Sequence, residues 1–240
     1  NIEGYFKDSF QILKYCLESL FKTSHMNTYF TIVNNGSCKE VVAYLNDLHQ
    51  IGRIHEIIHT SAIGKLNAIL KGLTGQKFQL VTITDADVLF LNNWQKETYD
   101  VFKAFPKAGF VNPCPSSKVL KLFTYNILWD NLFSNKLKFT KVKNPDALKK
   151  FAISIGNPNF YNKYHLEKYL TISNSKKTAV VGGGHFVGTY RREVFRNITQ
   201  KYSEFSIGGT SENNILDKPV VENGYWRLST QDNYAYHMGN

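Results

Sequence analysis

Segments with the pattern of β-strands alternate with segments of helical spacing through the first half of this sequence. Apolar residues recur at helical spacing from Phe10 to Phe21, and a β-branched and aromatic run follows at residues 29–33. Residues 41–48 and 66–70 again have helical spacing, and the run from Phe78 to Ile83 is typical of a buried strand. Alternation of this kind predicts an α/β fold with a mostly parallel central sheet flanked by helices.

The second half of the sequence is less regular. Residues 113–177 are richer in lysine and aromatic residues, and we interpret them as helices and loops built onto the sheet rather than as a separate domain. A helix is predicted from Ser211 to Asn223, although Pro219 is awkward inside it and is expected to kink it. Strands are predicted at residues 108–111, 178–181 and 225–228. The whole chain, 1–240, is therefore predicted to be one domain with halves at 1–112 and 113–240.

The composition excludes several classes of protein. An apolar fraction of 42% argues against disorder, and no apolar run approaches the roughly 20 residues that span a bilayer. The formal charge of +10 predicts an anionic partner, such as a nucleotide diphosphate, an acidic glycan or a membrane surface, with the basic stretch from Lys136 to Lys150 as one candidate contact. There is no zinc-finger, RNP or bZIP pattern, so nucleic acid is not an expected partner.

The three cysteines (Cys16, Cys38 and Cys114) are widely spaced and odd in number. They form neither a disulfide framework nor a thiolate metal site, and they indicate a reducing compartment. We therefore expect a cytoplasmic location, peripheral at the inner face of the membrane if the basic stretch contacts lipid.

Two aspartates, Asp85 and Asp87, come directly after a predicted strand that is too apolar to be exposed. In open α/β sheets, ligands bind beyond the carboxyl ends of the strands. Two carboxylates held so close repel each other unless a cation neutralises them, and a divalent metal that does so also binds diphosphate oxygens. The alternative interpretation is a surface turn, in which aspartates bond to their own backbone.

Six short stretches, taken together and in order, resemble the GT-A glycosyltransferases, especially the large second family of bacterial sugar transferases. The stretches are Cys16–Phe21, Ile32–Ser37, Gly64–Ile69, Thr84–Val88, Gly182–His185 and Glu222–Trp226. The resemblance implies a Rossmann-like GT-A fold that carries an acceptor-side elaboration of helices and loops. It also implies transfer of a sugar from a nucleotide-sugar, with a UDP-sugar favoured, to a glycan or other hydroxyl acceptor in polysaccharide or glycoconjugate synthesis.

The resemblance implies roles for residues of the first half, which would bind the nucleotide-sugar. Asn35 stands where the family often has an aspartate that meets the nucleobase, so an uncharged contact is implied. Lys65 would lie near the nucleotide, Asp85 would face the ribose, and Asp87 would bind the metal, to which Asp85 is a possible second ligand. The family's first strand should precede the helix at Asp8, and at most Asn1 and Ile2 of this sequence belong to it.

The second half would bind the sugar and the acceptor, with Gly183, Gly184, His185 and Trp226 on that side. Glycine at the first two of these positions would permit close approach of the backbone. His237 resembles the late histidine that completes the metal site in many such enzymes; an ordinary surface histidine is the alternative. A set of oxygen and imidazole ligands favours manganese over magnesium.

Glu212 is the candidate catalytic base that deprotonates the acceptor hydroxyl. The family usually has an acidic pair at this place, whereas Asn213 follows Glu212 here. This departure leaves open both the identity of the base and the inverting outcome that the resemblance implies. The alternative for Glu212 is an acid favoured at a helix start by the macrodipole.

Other functions are compatible with parts of the sequence. His55-Glu-Ile-Ile-His59 matches the H-E-x-x-H signature of zinc proteases, which requires a helix, whereas the resemblance to glycosyltransferases implies a strand there. A nucleotidyltransferase also combines an α/β sheet with carboxylates and a divalent ion. A binding module that keeps the sheet without turnover is the non-catalytic alternative.

Overall fold

The computed structural model describes residues 8–196, 202–204 and 212–239. The chain divides into two compact units, of which the first comprises Asn1–Ser24, Gln79–Val194 and Val220–Asn240 and the second comprises His25–Phe78 and Phe195–Pro219. Each unit therefore draws on both sides of residue 112. The expected remnant of a first strand at Asn1 and Ile2 lies outside the described residues.

The described residues form eleven strands and eight α-helices. The strands are β1 (Thr31–Asn35), β2 (Glu56–Thr60), β3 (Leu80–Thr84), β4 (Val88–Phe90), β5 (Ala108–Asn112), β6 (Leu137–Lys141), β7 (Lys168–Ser173), β8 (Thr178–Val181), β9 (Val187–Arg191), β10 (Trp226–Ser229) and β11 (Ala235–His237). The helices are α1 (Ser9–Thr23), α2 (Lys39–Gln50), α3 (Lys65–Gly72), α4 (Trp94–Ala104), α5 (Tyr125–Asp130), α6 (Pro145–Ser154), α7 (Lys163–Glu167) and α8 (Lys218–Glu222). Short 3-10 helices lie at Ser117–Lys121 and Arg192–Phe195.

The predicted helix over residues 211–223 is not one regular α-helix. A turn of π-helix at Asn213–Asp217 precedes α8, and Ser211 lies outside the described residues. Pro219 has no N–H to donate, and in a regular helix its ring would press on the carbonyl four residues earlier. The wide π turn lies just before this proline, which accounts for the interruption.

The first unit contains a seven-stranded sheet with the order β3-β9-β5-β10-β8-β7-β6. The sequence predicted a mostly parallel sheet, and this prediction is wrong for the strand directions of the seven-stranded sheet. Only β5 and β10 form a parallel pair among its neighbouring strands, and the other pairs are antiparallel. A short turn connects β7 to β8. Such a turn can join only antiparallel strands, because parallel strands need a longer crossover connection.

The prediction that residues 113–177 are only helices and loops is also wrong, because this segment contributes β6 and β7 to the sheet. β6 is one of the two edge strands of the sheet and carries Lys138 and Lys141. Lysines are common on edge strands, where they discourage pairing with another chain. The same lysines hide the strand pattern in the sequence.

The core of the first unit lies on both faces of the sheet. Ala179 and Val181 of β8 pack in one apolar cluster with Val101 and Phe102 of α4. Val180, between them in sequence, packs in a second cluster with residues of α6 such as Leu148 and Ala152. Because side chains alternate along a strand, the two clusters lie on opposite faces, and the unit is a layered α/β structure.

The second unit is built around the parallel pair of β1 and β2, in which Thr31 lies opposite Glu56. The H-E-x-x-H segment is therefore a strand and not a helix, so the zinc protease hypothesis is wrong. His59 uses both ring nitrogens for hydrogen bonds of 2.9 Å, to the side chains of Asn34 and Asn46. Within the described part of the chain, no helix is both long enough and apolar enough to cross a membrane.

Candidate active site

The acidic turn, Asp85 to Asp87, connects two different sheets of the first unit. β3, which ends at Thr84, is the outer strand of the large sheet, whereas β4 pairs with β11. The N–H of Asp85 donates to the carbonyl of Phe186 over 2.8 Å, and the N–H of Met238 donates to the carbonyl of Asp87 over 2.7 Å. Hydrogen bonds on both sides hold the turn, which argues against an ordinary surface turn.

The register of β4 against β11 brings the imidazole of His237 to the carboxylate of Asp87. His237 lies opposite Val88, and its Nε2 atom is 3.4 Å from Oδ2 of Asp87. The two side chains are mostly buried, with 11% of His237 and 18% of Asp87 exposed. The rings of Phe151 and Phe186 lie edge-on to the imidazole, with centroid separations of 6.1 and 5.7 Å. These apolar rings keep water from one side of the pair and thereby strengthen its electrostatic interactions.

The proton of His237 can be placed from its second ring nitrogen. Nδ1 lies 3.2 Å from the backbone N of Gly239. Because a backbone N–H only donates, Nδ1 accepts, and the neutral imidazole carries its proton on Nε2, towards Asp87. A cation bound at Nε2 therefore requires the proton on Nδ1, and the contact with Gly239 would then be lost.

Asp87 and His237 suit a divalent cation by the chemistry of their donor atoms. A carboxylate oxygen and an imidazole nitrogen 3.4 Å apart are close to the spacing of two neighbouring ligands that each lie about 2.1 Å from one ion. In residues 8–196, 202–204 and 212–239, no group of three or more His, Cys, Asp and Glu side chains is placed to hold a metal. A cation at Asp87 and His237 thus needs further ligands from water or from the phosphates of a donor.

Cys16 lies close to the acidic turn but does not add a metal ligand. Its Sγ atom is 3.8 Å from the carbonyl oxygen of Asp85. Burial raises the pKa of the Cys16 thiol to about 12, and the nearby charges of Asp87 and Asp85 act in the same direction. The thiol is therefore neutral near pH 7, and metals bind the thiolate.

The glycine segment, Gly182 to Gly184, packs against other residues of the protein itself. A Cβ atom added to Gly183 would lie 2.8 Å from the ring of Phe110 and 2.8 Å from Oγ of Ser229. At Gly184 the nearest atoms would be 3.9 Å away, which is an ordinary contact. The absence of a side chain is therefore required at Gly183 and not at Gly184.

Two polar side chains that the sequence analysis missed hold this segment. Nη2 of Arg227 donates to the carbonyl of Gly183 over 2.6 Å, and Nδ2 of Asn112 donates to the carbonyl of Gly184 over 2.7 Å. Arg227 is fully buried; it also donates to the carbonyl of Leu122, and its guanidinium lies 5.0 Å from the ring centre of Phe110. A charged residue inside the apolar strand predicted at 225–228 was the signal for its role.

His185 and Trp226 lie in different places. His185 is half-buried, with Nδ1 shielded from solvent, and it immediately precedes Phe186, whose carbonyl binds the acidic turn. Trp226 starts β10, which runs in the same direction as β3, so it lies at the sheet edge opposite to Asp85. Its Nε1 donates to Asp130 over 2.7 Å. This placement favours a structural role for Trp226 over the predicted contact with a sugar.

The remaining predicted residues belong to the second unit. Oδ1 of Asn35, at the end of β1, accepts the N–H of Ile63 over 2.8 Å. Lys65 starts α3, and its Nζ lies 2.9 Å from Oε1 of Glu212. About a quarter of each of these two side chains is exposed, with 30% for Lys65 and 22% for Glu212. Glu212 makes no side-chain capping hydrogen bond to the helix that it precedes, and its carboxylate lies beside Lys65.

Comparison with known proteins decides the family. The family model described as glycosyl transferase family 2 matches residues 5–199. The chain belongs to glycosyl transferase family 2. No curated protein sequence matches it.

This family 2 member also matches solved structures. One of them is the mannosyltransferase PcManGT from Pyrobaculum calidifontis, solved in complex with GDP-Man and Mn2+. The two chains are 14% identical with a TM-score of 0.53, and the match covers 91% of this chain and 50% of the other. This likeness confirms the GT-A fold, and the chain spans about half the length of that mannosyltransferase.

Proposed function

We propose that this family 2 chain is a metal-dependent glycosyltransferase that moves a hexosyl or related sugar from a nucleotide-sugar to a hydroxyl acceptor. The observation that carries the proposal is the Asp87–His237 pair, in which two metal-ligand types face each other 3.4 Å apart beside the carboxyl end of β3. Ligands bind at this edge of open α/β sheets. The binding of GDP-Man and Mn2+ by the fold neighbour supports the same chemistry.

In the first unit, Asp87 and His237 are proposed to hold the cation, manganese more readily than magnesium because one ligand is an imidazole. A bound cation supplies positive charge that stabilises the leaving nucleotide diphosphate. Asp85 is proposed to face the ribose. Gly183, Gly184 and His185 are proposed to line the sugar side, and at Gly184 the nearest atoms leave space for a ligand to approach the backbone.

In the second unit, Asn35 and Lys65 are proposed to contact the nucleobase and the nucleotide. Glu212 is proposed to take the proton from the acceptor hydroxyl. A carboxylate acts as a base only while it is ionised. The ammonium of Lys65 at 2.9 Å favours that ionised form by a charge-assisted hydrogen bond. A base that removes this proton while the sugar is displaced in one step gives inversion at the anomeric carbon.

The finer assignments follow from the same proposal. The donor is proposed to be a UDP-sugar, with GDP-sugars as the competing donors, and the acceptor a glycan in polysaccharide or glycoconjugate synthesis. The free cysteines of the described residues are consistent with the cytoplasm as the site of action.

The test is a donor screen with UDP- and GDP-sugars in the presence of manganese, read out as release of nucleoside diphosphate. Activity should disappear with a chelator and should fall by about 100-fold or more in Asp87→Asn, since a metal-ligand oxygen is lost. Asp100→Asn, which changes a half-buried aspartate of α4 paired with Lys96, is the matched control and should retain activity. Full metal-dependent activity in Asp87→Asn would contradict the site. Pyrophosphate release from a nucleoside triphosphate would indicate a nucleotidyltransferase, and tight nucleotide binding without turnover would indicate a binding module.

A further inference from the structure

An apolar stripe on α5 and the turn that follows it faces outward instead of into the core. Its first three members have the spacing i, i+3 and i+4 on α5, which in most helices marks the buried face, and the last two follow in the turn. The members are Tyr125, Leu128, Trp129, Leu132 and Phe133, which we call the outer stripe. Trp129 is 72% exposed and Phe133 is fully exposed. The inward face of the same segment is formed by Ile127 and Asn131, which are 0% and 5% exposed.

Core packing and hydrogen bonds attach α5, which carries the first three members of the outer stripe, to the rest of the unit. Ile127 packs in the apolar cluster on one face of the large sheet. Nδ2 of Asn126 donates to the carbonyl of Tyr225 over 2.7 Å, and Asp130 accepts from Trp226 and from Lys107. These bonds fix α5 at the amino end of β10, so the stripe is not exposed because of a loose helix. An exposed apolar surface on a well-packed helix is typical of a site that binds a protein partner or a membrane.

The charges around the outer stripe identify the kind of partner. The segment from residue 113 to residue 145 contains six lysines and a single acidic residue, Asp130, which is already paired with Lys107. Leu120 and Leu137 pack against the same core cluster as Ile127. Lys121 and Lys136, their neighbours in sequence, are exposed, and Lys107 lies beside α5 with its Nζ 2.9 Å from Asp130.

We propose that the outer stripe is a membrane-docking surface that binds bilayers with anionic headgroups. Aromatic side chains such as Trp129 are favoured at the boundary between headgroups and acyl chains, and lysines around them bind acidic phospholipids. A second copy of the chain fits less well, because a symmetric contact through the stripe would bring the same lysines together. This proposal does not depend on the proposed transferase activity.

The surface lies away from the candidate active site. α5 is bonded at the amino end of β10, whereas the acidic turn follows the carboxyl end of β3, which runs in the same direction. Docking through the outer stripe therefore leaves the acidic turn uncovered. Changes to the stripe should alter membrane binding without altering hydrolysis of a nucleotide-sugar in solution, so the two proposals can fail separately.

The test is flotation of the full chain with vesicles of phosphatidylcholine alone and with phosphatidylserine added. We expect binding to the vesicles that contain phosphatidylserine, and a loss of about tenfold or more in Trp129→Ser/Phe133→Ser, since both apolar anchors are removed. Met26→Ser/Ile51→Ser, which removes two exposed apolar side chains of the second unit, is the matched control and should bind normally. Lys121→Glu/Lys136→Glu should also weaken binding, and Lys39→Glu/Lys77→Glu should weaken it less.

Fluorescence gives a second readout that does not depend on flotation. The chain has three tryptophans, and Trp129 is the exposed one, because Trp94 is buried and Trp226 is half-buried. Insertion should shift the emission to the blue, and the shift should disappear in Trp129→Phe. Equal binding of the stripe variant and its control would overturn the proposal. So would failure to bind either vesicle, or a change of oligomeric state in the stripe variant by sedimentation, which would identify a contact between copies.

Discussion

The Nε2 atom of His237 lies 3.4 Å from Oδ2 of Asp87, although the two residues come from opposite halves of the chain. The β4–β11 pair creates this contact, since the N–H of Met238 donates to the carbonyl of Asp87. The position of each side chain therefore depends on the same short pair of strands.

Loss of either side chain should weaken manganese binding. We expect Asp87→Asn and His237→Gln each to lower the affinity for Mn²⁺ by about tenfold or more in the presence of a nucleoside diphosphate, because each removes one ligand. The measurement is the concentration of free Mn²⁺ by electron paramagnetic resonance. His25→Gln changes a surface histidine and should leave the affinity unchanged. An unaltered affinity in both site variants would mean that the pair does not bind the ion.

Glu212 and Lys65 should be separable by kinetics. Glu212→Gln removes the proposed base and should lower kcat by about 100- to 10,000-fold, with little change in the KM for the donor. Lys65→Gln should raise the KM for the donor if Lys65 contacts the nucleotide, and should lower kcat alone if it only positions Glu212. Glu222→Gln, near the end of α8, serves as the control. Normal kcat in Glu212→Gln would exclude it as the base.

Gly183 and Gly184 should respond differently to the same substitution. Gly183→Ala places a methyl group within 3 Å of Phe110, Ser229 and Asn112, and should lower the free energy of unfolding by about 1–3 kcal/mol through overpacking. Gly184→Ala has room and should change it by less than about 0.5 kcal/mol. Urea unfolding at equilibrium measures both. Equal effects would show that the segment is less tightly packed than the structure indicates.

The Asp130 carboxylate should give a stability term that depends on pH. The hydrogen bond from Lys107, and to a smaller extent the one from Trp226, lower the pKa of Asp130 below its ordinary value of 3.8. A depressed pKa in the folded state stabilises the fold fully above the unfolded pKa, and this stabilisation is lost as the pH falls through the folded value. Asp130→Asn should therefore lower the free energy of unfolding by about 0.5–1 kcal/mol at pH 7. Below about pH 4 the free energies of unfolding of the variant and the unmodified chain should become more similar.

The control for this prediction is Asp146→Asn, a more exposed aspartate whose oxygen lies 3.2 Å from Lys149. Its cost should be smaller at every pH, because solvent screens an exposed pair. Urea unfolding at pH 7, 4 and 3 makes the comparison. A constant cost for Asp130→Asn across these values would show that its charge does not contribute.

The sequence predicted the parts of the candidate site that follow local pattern. The apolar run before Asp85 identified both the strand and the turn beyond it, because a buried strand and its carboxyl end are properties of neighbouring residues. The roles of Asn112 and Arg227 were missed, since both depend on where the glycine segment passes over β5 and β10. His237 was proposed only through the resemblance, because its partner is chosen by the pairing of β4 and β11.

The order of the sheet was harder to predict than its strands. β6 was hidden by its lysines, and β9 by the glycine at its second position, Gly188, which lies against Phe110. A pattern of strands and helices in the first half predicted parallel pairing, yet β9 inserts antiparallel between β3 and β5. Such an insertion comes from contacts between distant segments, which local periodicity does not report.

The pairing of β4 with β11 also determines when, during translation, Asp87 and His237 can come together. Asp87 leaves the ribosome roughly 8 to 30 s before His237 at ordinary rates of translation. During that interval the nascent chain displays a carboxylate whose imidazole neighbour does not yet exist, and β4 has no strand to pair with. The proposed metal site is thus incomplete until residues 235–238 have emerged from the ribosome.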